Sequence, residues 1–328
     1  MLSSLLTPLS NADQEYGENY FFSMVNEDKN PFLNFKGPGV GLITFKTETG
    51  MELRRMIRSL HSHFRNIDIY DLGYIADENQ QDKITEFCNA AGVLPVFIGD
   101  GSRGLANIAN DWSNWIISNK IHKEFPACNY TGYQRHLCTQ DDIFQTEEYH
   151  YNHVSLGKMR SNPAILEPSL RDIVNLYVDL RALRTSDAPN VKYTYPTGLN
   201  AEELCQIMRH AGTGGQISVV HFDFELNNSG CLQESQLLAE SIWYFAEGVN
   251  IRVADHPLRS NDFTTFVIYA GMIDDDLDFV KHNQTGKWWL KHPESKANRY
   301  LACSFEEYQA SIGEDLPERI SKFIHFEF

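Results

Sequence analysis

The sequence predicts an α/β protein, a three-layer α/β/α sandwich around a mainly parallel sheet of roughly eight strands. Three observations carry this prediction. Short apolar, β-branched runs recur along the chain, and several are apolar on consecutive positions, as strands buried on both faces must be. Segments of helical periodicity with their own start signals lie between the runs.

The first 36 residues show little periodicity and are expected to form an irregular segment. GVGLITF (39–45) opens the sheet, and a helix follows in which Thr49 and Glu52 are spaced as a capping box. Leu53, Met56, Ile57, Leu60 and Phe64 then share one helical face. IDIYDLG (67–73), LPVFIGD (94–100), NWIIS (114–118) and IVNLYVDL (173–180) read as further strands, with a weaker one at HVSLGKM (153–159). Residues 126–152 mix polar and aromatic side chains as a long loop would. Asn200 and Glu203 start a second capped helix that Gly212 is expected to stop, and ISVVHFDFEL (217–226) is the next strand. Residues 235–247 form a helix that is apolar nearly all round, and FTTFVIYA (263–270) is read as one more parallel strand. One domain is expected over residues 1–328, with 274–328 a tail packed on the sheet edge or at an oligomer contact. Trp288 and Trp289 in that tail need burial, and a short helix is expected around 304–312.

Composition excludes several functions. The chain of 328 residues carries 28 Lys+Arg against 44 Asp+Glu, a net charge of -16, so it offers no basic face to nucleic acid or anionic membranes. No apolar run reaches the roughly 18 residues of a membrane span, and MLSSLLTPLS lacks the basic flank of an export signal. No membrane insertion and a cytoplasmic location are the resulting expectations. The six cysteines are scattered without a C-x-x-C pair, which suits reduced thiols. The group Cys128, His136, Cys138, His150 and His153 matches no zinc spacing, and the acidic run 274–278 lacks the glycine and distal glutamate of a calcium loop. No G-x-S-x-G, P-loop or dinucleotide fingerprint occurs.

In an open parallel sheet the chemistry collects beyond the carboxyl ends of the strands. Asp71 and Gly73, the 99–102 loop, residues 118–122, 179–181 and 223–225 are expected there, so carboxylates from several strands can converge.

Four of these segments carry a resemblance. VDLRALRTSDAPNVKYTYPTGLNAEELCQIMRHAG (178–212), HFDFELNN (221–228), PVFIGDGS (95–102) and NWIISNKIHKE (114–124) together resemble the ureohydrolase superfamily of arginases, agmatinases and formimidoylglutamases. The tail segments GKWW and CSFEEYQ resemble a divergent arginase-like branch, and the main resemblance spans about residues 37–248. It implies an arginase-like fold and a dinuclear manganese centre whose bound hydroxide attacks a guanidino or formimidoyl carbon. It also implies that the family's S-x-D-x-D segment falls on Tyr177, Asp179 and Arg181, and its Asp-Ala-His-x-Asp segment on Ser118, Asn119, Lys120, Ile121 and His122. In the loop that matches Gly-Gly-Asp-His-Ser, Asp100 and Ser102 remain and Gly101 replaces the histidine. Glu225 matches the acid that meets the substrate's cationic end, and Ser186, Asp187, Pro189, Pro196 and Gly198 lie on the matching substrate loop.

Few metal ligands survive this comparison. Asp179 and Asp100 face Lys120 and Arg181, a neutral set before any metal is added. Unit charges about 4 Å apart interact by roughly 4 kcal/mol at an effective dielectric of 20, so a dication there loses ligands and meets repulsion. The expectation is that Lys120 and Arg181 pair with Asp179 and no metal is bound. Asp179, Asp100 and His122 are the residual ligands if manganese survives in part. The resulting reading is a non-catalytic binding or assembly protein, homo-oligomeric or with a protein partner. One alternative is a C–N hydrolase of a guanidino or formimidoyl substrate. Another is a sensor in which Glu225 and the 186–198 loop grip a cationic small molecule.

Overall fold

A computed structural model describes residues 6–7, 35, 37–45, 48–75, 77–99, 116–119, 128–141, 152–227, 232–271, 275–293, 299–313 and 316–326. Nine strands form the main sheet: β1 (Leu6–Thr7), β2 (Gly39–Phe45), β3 (Asp68–Ile75), β4 (Val93–Gly99), β5 (Ile116–Asn119), β6 (Cys128–Tyr133), β7 (Asn152–Ser155), β8 (Asn175–Asp179) and β9 (Val219–Asp223). Their spatial order is β1-β3-β2-β4-β9-β8-β5-β6-β7. From β3 to β8 every pairing is parallel. The apolar runs of the sequence supply these central strands, whose alternate side chains enter cores on opposite faces. Val40, Leu42, Val96 and Phe222 point to one core with Leu53 and Ile57 of α1 (Glu48–Ser59). Ile43, Phe97 and Val219 point to the other, with Ile84 and Cys88 of α2 (Gln81–Ala90). The α/β/α layering is therefore as the sequence predicts, and α2 is an addition to it.

Strand β5 departs from the expectation of a parallel sheet. It runs antiparallel to both neighbours, β8 and β6. The physical reason is connection length: eight residues separate Asn119 from Cys128, too few for the dozen or more that a parallel crossover to an adjacent strand needs. The expected loop at 126–152 contains β6, which its polar composition hides, since Asn129 and Thr131 are buried with the tyrosines. HVSLGKM divides into β7 and α3 (Leu156–Ser161), capped by Ser155, and α4 (Leu166–Leu170) follows.

Helix α5 (Ala201–Thr213) begins with the predicted capping box, in which the Asn200 side chain accepts from the Glu203 N–H and Glu203 accepts from the Asn200 N–H. Gly212 does not stop it; the C-cap is Gly214. Gly212 instead lies against α6 (Leu232–Asn250), where a Cβ would come within 2.3 Å of the Phe245 carbonyl oxygen. Two glycines, Gly212 and Gly248, thus let α5 and α6 approach to backbone contact under the first core.

The strand at 263–270 and the tail are the largest correction. β10 (Phe263–Ala270), β11 (Asp275–His282), β12 (Trp288–Lys291) and β13 (Tyr300–Cys303) form a separate four-stranded antiparallel sheet in that order. Phe266 and Ile268 turn inward while Thr265, Val267 and Tyr269 face out, the alternation of a strand with one wet side. Helices α7 (Phe305–Ile312) and α8 (Glu318–Ile324) cover its inner face through Tyr308, Ile320 and Phe323. Trp289 is fully buried in this unit. Arg171, following α4, joins it to the main sheet by donating to the Trp288 and Cys303 carbonyls. No helix among the described residues is long and apolar enough to cross a membrane.

Candidate functional site

The parallel register brings the carboxyl ends of β8, β9 and β4 to one line, where Asp179, Asp223 and Gly99 are neighbours. The Asp179 side chain is 2% exposed. The chain turns from β8 into a single 3-10 turn at Leu180–Ala182, whose N-cap is Asp179 itself, so its carboxylate accepts the Arg181 N–H at 2.8 Å. The same turn folds the Arg181 side chain back onto its neighbour. Its Nε lies 3.0 and 2.9 Å from the two Asp179 oxygens, and Nη2 lies 2.6 Å from Oδ2. Both carboxylate oxygens are thus held by one guanidinium, a strong charge-assisted arrangement.

Burial pushes the Asp179 carboxyl up to about 6, against the pull of Arg181, and the charge of Asp223 adds to the rise. Burial works against the Arg181 guanidinium too, yet Asp179, then Asp223 and Glu225, hold its proton more firmly than usual. Arg181 therefore sits as the cation within three carboxylates.

Glu225 lies beyond β9 and pairs with Lys192 of the 183–199 loop, both partly exposed. The backbone adds a second tie, Lys192 N–H to the Glu225 carbonyl at 2.7 Å. The loop itself is built rigidly. Asp187 binds Arg184, accepts the Ala201 N–H at 2.9 Å and takes a hydrogen bond from Ser186 at 2.8 Å. Pro189 and Pro196 are exposed, and Gly198 is buried where a Cβ would come within 2.6 Å of the Arg184 nitrogen. Glu234, fully buried on α6, holds the loop at the Asn190 N–H, 2.7 Å away. Tyr193, 71% exposed, takes φ +62°, a left-handed conformation costly for a bulky residue.

Of the residues expected at this site, Asp179, Arg181 and Glu225 are brought to the strand ends, while Asp100, Lys120 and His122 lie outside the described residues. The direction of β5 puts Ser118 and Asn119 away from Asp179, while 120–122 lie outside the described residues. Asn119 pairs with Asn175, and Ile116 with Val178, so the described segment ends at the opposite end of β8. At about 3.3 Å per residue the four positions from Asn175 to Asp179 span roughly 13 Å. Cys128, Cys138, His136 and His153 do not converge either. Among the described residues no group of three or more His, Cys, Asp and Glu side chains could hold a metal ion.

Two residues of the site escaped the sequence reading. Lys192 has no motif signal beyond its place in the loop. His221 is stacked between Phe97 at 5.2 Å and Tyr177 at 4.8 Å on one face of β4, β9 and β8, and burial lowers its pKa to about 4. The alternation HFDFEL, which sets His221 on the face of Asp223, is the signal that could have found it. A neutral imidazole between two rings is a packing element under the carboxylates.

A dinuclear manganese centre does not fit the described donors. A metal at Asp179 would have to displace a guanidinium bound to both oxygens, and would face Arg181 at close range.

No family model matches the sequence, and no curated protein matches it. Solved structures do match its fold. A formiminoglutamase of Trypanosoma cruzi with Mn2+2 aligns with a TM-score of 0.53 at 14% identity, over 68% of this chain and 97% of that one. A T. cruzi arginase superfamily protein gives 0.54 at 14% identity, over 68% and 97%. The formimidoylglutamase of Bacillus subtilis gives 0.52 at 12% identity, over 74% and 97%. At these identities the likeness concerns the fold alone, and the fold of this chain is that of the ureohydrolases.

Proposed function

We propose that the chain is a non-catalytic binding or assembly protein, cytoplasmic and built on the ureohydrolase fold, in which an arginine–carboxylate cluster stands where the fold's relatives hold manganese. The observation that carries this reading is Arg181, which binds both oxygens of Asp179 through its own turn and has Asp223 and Glu225 around it. Arg181 occupies both oxygens of Asp179 and Lys192 pairs with Glu225, so two of the three carboxylates already have cations, and among the described residues Asp179 is not open to a metal that would make a water nucleophilic. An assembly role is supported by the second sheet, whose edge strand β10 presents Val267 and Tyr269, 59% and 64% exposed, to a homo-oligomer or protein partner.

The sensor reading is favoured by one observation. The Lys192–Glu225 pair is partly exposed, so a guanidino or amine ligand can replace the lysine at small cost. The test that separates binding from catalysis is release of urea, ammonia or formamide from arginine, agmatine and formimidoylglutamate with added Mn2+. No release above the buffer rate is expected. Clear turnover would establish the C–N hydrolase reading instead.

A further inference from the structure

A cavity of about 270 Å³ lies away from the Asp179 cluster, between the two sheets. One wall is carried by the carboxyl end of β6, by β7 along its length and by α3; the other comes from α7 and α8. The carboxyl ends of strands are where open α/β sheets collect ligands. Because two units contribute, an occupant would contact both.

Hydrogen-bond accounting shows what the cavity lacks. Of its two carboxylates Glu307 is fully engaged, and Glu318 uses one of its two oxygens. Glu307 takes hydrogen bonds from Arg319 Nε at 3.0 Å and Nη2 at 2.6 Å and from the Ser304 N–H at 2.8 Å. Glu318 accepts from Lys322 at 2.7 Å. The donors are not spent. Among the described residues the Lys158 ammonium and the Asn162 amide make no hydrogen bond, and Lys322 uses one of its three N–H groups on Glu318. The lining holds three cations, Lys158, Arg319 and Lys322, against two carboxylates, Glu307 and Glu318. Lys158 and Lys322 line the cavity together with Glu318, which Lys322 binds at 2.7 Å. The lining therefore carries one more cation than carboxylate, which favours an anionic occupant.

We propose that this cavity binds a small organic carboxylate, its oxygens meeting Lys158, Asn162 and Lys322 and its carbon frame lying along Ile165 and Pro317. The volume is just below the roughly 300–1,000 Å³ of drug-sized ligand pockets, which suits a short acid and excludes a nucleotide. A ligand held by both units stabilises the chain by mass action on the folded state.

Thermal unfolding of the full chain tests this with butyrate and glutarate as carboxylate probes, and with butylammonium, inorganic phosphate and matched sodium chloride as comparisons. The expected result is a dose-dependent rise in Tm with the carboxylates alone. Lys158→Gln and Lys322→Gln should each weaken the half-saturating concentration by about tenfold, the loss of one charge-assisted hydrogen bond. Lys83→Gln, an exposed lysine on α2, should leave it unchanged. Both lysines reach solvent, so folding is retained, and far-ultraviolet circular dichroism checks it. No rise with either acid, an equal rise with butylammonium, a rise confined to phosphate, or a carboxylate effect that survives both substitutions would each overturn the proposal.

Discussion

Replacing Arg171 by methionine is expected to destabilise the fold by about 3–5 kcal/mol, the cost of removing one partner from a buried ion pair. Arg171 is 3% exposed. Its Nε donates to Glu167 at 2.9 Å within the same turn of chain, and its second nitrogen reaches the other Glu167 oxygen. The guanidinium also donates to the carbonyls of Trp288 at 2.6 Å and Cys303 at 3.4 Å, and lies 4.5 Å from the centroid of the Trp289 ring. Methionine keeps the stem's volume but leaves a partly buried carboxylate and two carbonyls short of donors. Arg171→Lys should recover little, because an ammonium cannot reproduce the planar fork. Since the lost contacts lie between the main sheet and the β10–β13 sheet, tryptophan fluorescence of the variant should change at lower urea than far-ultraviolet circular dichroism. A single coincident transition at the wild-type midpoint would show that Arg171 does not join the two units.

The second large effect concerns pH. Asp179 has its folded pKa raised to about 6 from 3.8, chiefly by burial. The folded state then holds the proton more tightly than the unfolded chain, so the stability Asp179 contributes is fully present below about 4 and is lost as pH rises through about 6. In Arg181→Met the guanidinium that lowers this value is gone, and the loss continues to higher pH. At pH 7 the variant should be less stable than wild type by about 3–5 kcal/mol, and at pH 4 by much less. Asp179→Asn in the same background should remove the pH dependence and restore most of the stability. The check is urea unfolding of the three proteins at pH 4, 5, 6 and 7. Parallel curves for wild type and Arg181→Met would mean that the pair does not act as one unit.

The legible part of the fold was the part in which burial and local chemistry speak together. The consecutive apolar residues of GVGLITF and LPVF can only be central strands, and the Asn200–Glu203 box satisfies its own helix start wherever the helix packs, whereas Thr49 of the other expected box lies inside α1, which begins at Glu48. Strand direction was not legible at β5, because four residues of strand carry no polarity signal and the short connection to β6 decides the matter. β10 was misassigned for a related reason: its neighbours are set by β11, whose DDLDFVKH looks like a solvated acidic turn until Leu277 and Phe279 are seen to face inward and Val280 to pack on the opposite face with Trp289. Gly212 has the composition of a stop but the position of a contact, which only α6 reveals.

At the site, the pairing of Arg181 with Asp179 was readable, since a two-residue spacing into a strand end lets one side chain fold onto the other. Lys192 was not. Its meeting with Glu225 depends on the bridge between Val191 and Leu226 that lays the loop along the chain after β9. That contact spans 33 residues, and nothing local announces it. His221 was missed because a histidine inside an apolar strand looks the same whether it binds, reacts or packs. The rings of Phe97 and Tyr177 on either side decide for packing.

The central claim is that Arg181, and no metal, neutralises Asp179 at the end of β8. Manganese content measured by elemental analysis tests it most directly, on the full chain saturated with Mn2+ and then dialysed. The prediction is that no stoichiometric manganese is retained by the wild-type protein. Retention of about two manganese ions per chain, the complement of a two-metal hydrolytic site, would contradict it.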